Sequence, residues 1–161
     1  MNTQRGFTIA ELVIVMVVVG VLSAVALPRL FDQSEFAARG GRDFLASGLR
    51  YAQKSAIAMR RNVCLDIAGS TVAATIATAP GSDQSCNAGA ALVHPANNLA
   101  FADPANALPG GAAVTASASV IFDAAGRPLT APAAPLAAAM TISVAGHPVS
   151  VTIEPETGLV H

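Results

Sequence analysis

Charge is scarce in this chain: Asp, Glu, Lys and Arg make up 12% of its 161 residues, and the formal net charge is −1. Neutralising nucleic-acid phosphates takes several Lys or Arg, so the chain as a whole does not announce a nucleic-acid partner. Catalytic patterns are missing too. No Ser sits in a Gly-x-Ser-x-Gly elbow, no Gly-rich phosphate loop precedes a Lys-Ser or Lys-Thr, and no His-Glu-x-x-His occurs. Glu154 and Glu156 lie close together, but where a strand gives way to a turn they read as solvated charges rather than an acid/base pair. His94, His147 and His161 share no ligand spacing with Cys64 or Cys86, the only cysteines, so neither a metal site nor a cofactor is expected. His147, in a turn, reads as structural. The chain is not expected to be an enzyme.

What the chain does have is one long apolar run. From Phe7 to Leu27 it carries a single charge, Glu11, with weakly polar breaks at Gly20 and Ser23. A helix of that length spans about 31 Å, close to the thickness of a bilayer's hydrocarbon core. A helix apolar on every face sits in lipid or inside a bundle of its own kind. A carboxylate within such a segment costs roughly 2.5–3.5 kcal/mol on insertion scales and normally has a partner. A cut after Gly6 would supply one, a new ammonium on Phe7, four residues before Glu11.

The short basic leader ending in Arg5-Gly6, the Gly6-Phe7-Thr8 junction, Glu11 at the fifth position after it, and Pro28 beyond the run together form a specific pattern. In these residues the sequence resembles a type IV prepilin or type II secretion pseudopilin. The resemblance implies cleavage after Gly6 by a prepilin peptidase, N-methylation of Phe7, and later packing of the helix in the core of a filament. The Ile9-Ala10 pair stands where Leu-Ile is more usual, which leaves the logic of the pattern intact. Partners would be other pilins or pseudopilins, the peptidase and an inner-membrane assembly platform. Glu11 would register a subunit against the Phe7 ammonium of the one ahead, replacing a desolvation cost with an ion pair.

An ordinary secretory signal peptide is the competing reading, because Ser23-Ala24-Val25-Ala26 has a small-x-small look. The apolar run is longer than the usual 7–15 residues, however, and contains an acid. A generic single-pass anchor would explain the length but not Glu11 or the Gly6-Phe7 junction. Arg5 and the N-terminal amine before the run place the N-terminus in the cytoplasm and the C-terminal part in the periplasm.

Four segments are expected: a leader at 1–6, a transmembrane or filament-core helix at 7–27, an amphipathic helical stem at 28–61 and a β-rich head at 62–161. Pro28 should kink the helix rather than end it, since helical signals resume at once. Asp32, Ser34 and Glu35 offer acids and a cap near the restart. Leu45, Leu49, Ala52, Ala56 and Met59 form one apolar stripe of helical period, widened by Phe44, Gly48, Tyr51 and Ser55. Gly40-Gly41 is a weak point where a break or bend is expected. From Arg39 to Arg61 five Arg and one Lys stand against Asp43, whereas from Asn62 on six acids stand against Arg127. A basic stem and an acidic head could help subunits register within a screening length of about 10 Å; a solvated helix face accounts for the same charges.

After Asn62 the period changes to that of strands. Residues 63–67 and 71–77 read as two strands joined across Ala68-Gly69-Ser70, followed by a long Pro-, Gly-, Asn- and Ala-rich loop at 78–111 with a short strand near 91–94. Such a loop is usually functional or poorly ordered. Residues 114–122 form the next strand with a turn at Asp123–Gly126, and 130–138 read as a linker. Residues 140–144 and 149–153 flank a hairpin turn at 145–148, and 157–161 close the chain as a short strand. The fold class is therefore α+β, a long N-terminal helix packed against a C-terminal antiparallel sheet or sandwich.

Within the prepilins, the runs Leu49–Ala56 and Val120–Arg127, the late hairpin and the Gly158 ending resemble GspH/FimT-type minor pilins and pseudopilins. With Ala26-Leu27-Pro28-Arg29-Leu30-Phe31-Asp32, they look most like minor pilins of the mannose-sensitive haemagglutinin (MSHA) class. An oxidising periplasm makes Cys64 and Cys86 the natural disulfide pair, worth on the order of 3 kcal/mol by loop closure; two unpaired buried thiols are the alternative. The expected function is a structural subunit of a pilus or secretion pseudopilus. Some FimT-type pilins capture DNA through basic C-terminal residues, but here Gly158–His161 has no Arg and the head only Arg127, which disfavours DNA capture. Adhesion through the 78–111 loop is a further alternative.

Overall fold

The computed structural model describes residues 8–30, 33–80, 86, 89–130 and 134–161, with 25–30 and 33–34 described by backbone alone. Contacts divide the chain into two compact units, one up to Gln33 and one from Ser34 onward. The first unit is helix α1, Ile9–Leu30, which runs through Pro28 without ending there. Its described apolar side chains, from Ile9 to Leu22, are exposed on every side. Among the described residues no helix is long and apolar enough to cross a membrane. The side chains described in α1 stop at Ala24, short of the roughly 20 apolar residues that a span takes.

The second unit opens with α2, Gln33–Met59. Leu45, Leu49, Ala52 and Ala56 are buried in its core as the stripe requires, joined by Ala38 and Ala46, with Phe44 and Tyr51 packed partly against them. Met59 departs from the stripe and is 54% exposed. The reason is the helix end: Arg60 adopts a left-handed φ of 52°, and Arg60 N–H and Arg61 N–H donate to the Ile57 and Ala56 carbonyls, the pattern of a Schellman cap. The expected break at Gly40-Gly41 does not occur. The two glycines instead admit a close neighbour, because a Cβ on Gly41 would come within 2.6 Å of Ala112 Cβ.

The sheet has six antiparallel strands in the order β3-β2-β1-β4-β5-β6, where β1 is Val63–Ala68, β2 Thr71–Ile76, β3 Ala90–Ala91, β4 Ala118–Phe122, β5 Pro128–Thr130 and β6 Ala134–Pro135. Strands β1 and β2 pair from Val63↔Ile76 to Ala68↔Thr71 across a two-residue turn, whose Gly69 has φ +58°. In β1 the buried Val63, Leu65 and Ile67 alternate with Cys64, Asp66 and Ala68. The first set faces α2 within one core with Val72, Val120 and Phe122, so the second set lies on the sheet's other face. A second small hairpin, β7 Met140–Ile142 with β8 Val151–Ile153, completes the unit, and Val160 bridges back to Ile153.

Three expectations for the strands change. The stretch at 114–122 is strand only from Ala118, with Val114 leaving to bridge Val144. The expected linker at 130–138 contributes β6 at the sheet edge, where Ala134 and Pro135 pair with β5. The late hairpin is confirmed, but its strands end at Ile142 and Val151, so its connection is longer than a tight turn.

The described part of the long loop is packed on α2. Phe101 is fully buried with Leu92 and Leu108, its ring edge fits over Gly48, and its centroid lies 5.9 Å from Tyr51 and 4.9 Å from His94. His94 stacks in turn on Phe44 with centroids 5.6 Å apart. These rings supply the apolar area that a loop of small residues lacks.

Candidate assembly site

Of the residues singled out for processing and assembly, Gly6 and Phe7 lie outside the described residues. Glu11 is exposed in the first turn of α1. Thr8 precedes the helix, and its Oγ1 accepts from the Glu11 backbone N–H at 3.3 Å, while the Thr8 carbonyl accepts from Leu12 N–H. Thr8 is thus the N-cap, and Thr8-x-x-Glu11 has the spacing of a capping box. That signal was legible in the sequence but hidden by the apolar run around it. An acid in the first helical turn also meets the positive end of the helix dipole, worth about 0.3–1 kcal/mol at an exposed site. Glu11 is therefore compatible with the helix that carries it, and its carboxylate remains at the surface of α1.

Cys64 and Cys86 are joined in a disulfide, with Cα atoms 5.8 Å apart. Because Cys64 is on the β1 face turned away from α2, the bond ties residue 86 to that outer face, where Cys86 is buried. Among the described residues no group of three His, Cys, Asp or Glu side chains could hold a metal ion. His147 Nδ1 lies against the Val149 backbone, and His161 Nε2 is 3.0 Å from Glu154 Oε1.

The head also contains a polar knot that sequence reasoning approached only as separate runs. Asp123, buried at the end of β4, accepts Ala125 N–H at 2.9 Å and Arg127 N–H at 2.8 Å through Oδ1. Its Oδ2 takes Arg127 Nε at 2.9 Å. This closes the Asp123–Arg127 loop, in which Gly126 has φ +81°. Gln53 of α2 donates through Nε2 to the Gly126 carbonyl at 2.9 Å and the Thr157 carbonyl at 3.0 Å. One turn earlier on the helix, Arg50 grips the Val160 carbonyl through Nε and Nη2, at 3.1 and 2.9 Å. The runs at 49–56 and 120–127 and the Gly158 ending, far apart in the chain, meet here. Arg50, one of the five Arg between Arg39 and Arg61, thus fastens the C-terminal end of the chain to α2.

The first 27 residues match the model of the prokaryotic N-terminal methylation motif. Over 94 residues the chain is 34% identical to the type IV narrow pilus major component PilA5 of Thermus thermophilus, covering 53% of this chain and 81% of that one. The chain belongs to the type IV pilin family. A fimbrial protein of Moraxella nonliquefaciens is 44% identical over 50 residues, a match covering 31% of this pilin and only 32% of the relative. No solved structure matches. A helix followed by an antiparallel head suits a pilin, and the coarse functional class, a structural pilus subunit, follows from the family.

Proposed function

We propose that this pilin is cleaved after Gly6, N-methylated at Phe7, held in the inner membrane by residues 7–27 with its head in the periplasm, and then drawn into a helical filament. The observation that carries this reading is the coincidence of the methylation motif over residues 1–27 with an α1 whose described apolar side chains, from Ile9 to Leu22, are exposed. Lipid first, and then neighbouring α1 helices, would remove that surface from water. In the filament Glu11 meets the Phe7 ammonium of the subunit ahead, with the peptidase and the inner-membrane assembly platform as transient partners.

In finer detail we assign the chain to the GspH/FimT-type minor pilins or pseudopilins, nearest to the MSHA class. Support comes from the local runs at 49–56 and 120–127 and the Gly158 ending, which fold together around Gln53. Capture of DNA by the head has less support, since Arg127 is already engaged by the buried Asp123. The deciding experiment is the intact mass of the membrane-extracted protein: loss of residues 1–6 with one added methyl group is expected. A native chain starting at Met1, or a soluble chain trimmed near Ala24–Ala26, would overturn the reading. Comparing a deletion strain for surface pili and for secreted enzymes separates pilus from secretion machine.

A further inference from the structure

The N-terminal part of α2 carries the most exposed large apolar side chain described in the second unit, Phe36, at 75%. Close by on the same helix, Arg39 pairs with Glu35 at 3.0 Å and Arg42 with Asp43 at 3.1 Å. Beside them runs the connection that follows β7, where a Cβ on Gly146 would lie 3.7 Å from Ala38 Cβ. Its turn closes on itself, since Val149 N–H donates to His147 Nδ1 at 3.0 Å, and the Val149 side chain stays exposed. Arg39, Arg42, Asp43, His147 and Val149 together line one shallow cleft. There Arg42 donates to Asp43 through Nη1, and its Nε is buried with no hydrogen-bond partner among the described residues.

A short tether joins this surface to the apolar run. Phe36 stands nine residues beyond Leu27, a stretch that reaches at most about 30 Å even when fully extended. Exposed aromatic and aliphatic side chains among guanidiniums are the composition of surfaces that settle at a bilayer's headgroup layer, where Arg buries its stem and keeps its charge at phosphate level. The acids set the lipid class. Glu35 and Asp43 balance Arg39 and Arg42, so the surface offers both signs of charge rather than an excess of one. A phosphate can take two parallel N–H donors from one guanidinium, which Asp43 does not do for Arg42, and the carboxylates suit a headgroup ammonium. We infer that, before assembly, the face around Phe36, Arg42 and Val149 docks on the periplasmic surface of the membrane that holds residues 7–27 and takes zwitterionic phosphoethanolamine headgroups. The inference rests on that anchoring reading and adds to it a contact between head and lipid.

The chain contains no tryptophan, so a single introduced one reports its own surroundings. Full-length pilin carrying Phe36→Trp, Val149→Trp or Leu159→Trp is reconstituted into phosphatidylethanolamine–phosphatidylcholine vesicles brominated on the acyl carbons nearest the headgroup. Leu159 is as exposed as Val149, 58% against 53%, but it adjoins Val160, whose carbonyl is held by Arg50 farther along α2. The first two variants should lose most of their emission to the bromines, and Leu159→Trp should keep it. Val149→Trp decides the matter, because no short tether brings that position to the membrane. Quenching of Phe36→Trp alone, or of all three variants, overturns the inference and leaves the anchoring reading intact. Adding Arg39→Glu and Arg42→Glu to Val149→Trp should restore the emission while the protein still floats with the vesicles, and quenching that survives both changes also overturns the inference. Pilin that does not float with the vesicles overturns the anchoring reading, and the inference falls with it.

Discussion

The two helices of this pilin make opposite use of the same secondary structure. In α2 one face is buried to completion, with Leu49, Ala52 and Ala56 fully inside, while the other faces water. In α1 apolar side chains from Ile9 to Leu22 are exposed all round, with Glu11 in the first turn. The second unit buries a core of its own, whereas the described apolar side chains of α1 are exposed. Folding energy therefore resides in the second unit, and the place of α1 is decided by what surrounds it. The widest break between the two follows from substitutions at the N-terminus. Gly6→Leu should block processing, leaving a chain that retains residues 1–6 on an intact-mass spectrum, while the Cys64–Cys86 disulfide still forms. Glu11→Ala should be inserted and processed but be nearly absent from filaments. Normal incorporation of that variant would remove Glu11 from assembly.

The next largest effect belongs to the head. Replacing both Cys64 and Cys86 with Ser should cost about 3 kcal/mol in the chain-entropy model, and lower the melting temperature of the full chain in detergent by about 10 °C. The α1 helix content should not change. An unaltered melting temperature would mean that the outer face of the sheet holds residue 86 without the covalent bond.

Much of this division was legible in the sequence because it rests on long periodic signals. The apolar run from Phe7 and the stripe Leu45-Leu49-Ala52-Ala56 each repeat one rule over several turns. The alternation of Val63, Leu65 and Ile67 with Cys64 and Asp66 does the same for β1. Less legible were features produced by single contacts at long range. Gly40-Gly41 reads as a helix breaker by propensity, yet the close approach of Ala112 gives the pair a packing role. Residues 130–138 carry too many Pro and Ala to look like strand, and Ala134 and Pro135 qualify only as an edge. Arg50 and Gln53 act on backbone carbonyls 110 and 104 residues away, which no local pattern encodes. At the candidate assembly site, Glu11 is visible as a lone acid, while the Thr8-x-x-Glu11 capping spacing is present in the sequence but masked by the apolar run around it.

Gly158 tests the polar knot. Its φ is +66°, and a Cβ there would collide with the Gly126 carbonyl oxygen and with Gln53 Nε2. Gly158→Ala must either strain the turn or push Gln53 off two carbonyls. A loss of about 2 kcal/mol is expected, from a left-handed non-glycine residue and displaced hydrogen bonds together. Thermal unfolding of the full chain in detergent measures it. A neutral result would show that the C-terminal turn is not held to α2 by this knot.

The smallest effect sharpens where α2's buried face ends. Periodicity extends the stripe to Met59, but the helix stops there, Arg60 turns left-handed, and the Met59 side chain is half exposed. Leu49→Ala removes a fully buried side chain and should cost about 2–5 kcal/mol. Met59→Ala removes little that folding has taken out of water, and both residues suit a helix, so a change within about 0.5 kcal/mol is expected. The two belong to one stripe by spacing alone, and unfolding the two variants side by side separates spacing from burial. A cost above about 1 kcal/mol for Met59→Ala in the isolated full chain would mean that its side chain is covered within the subunit.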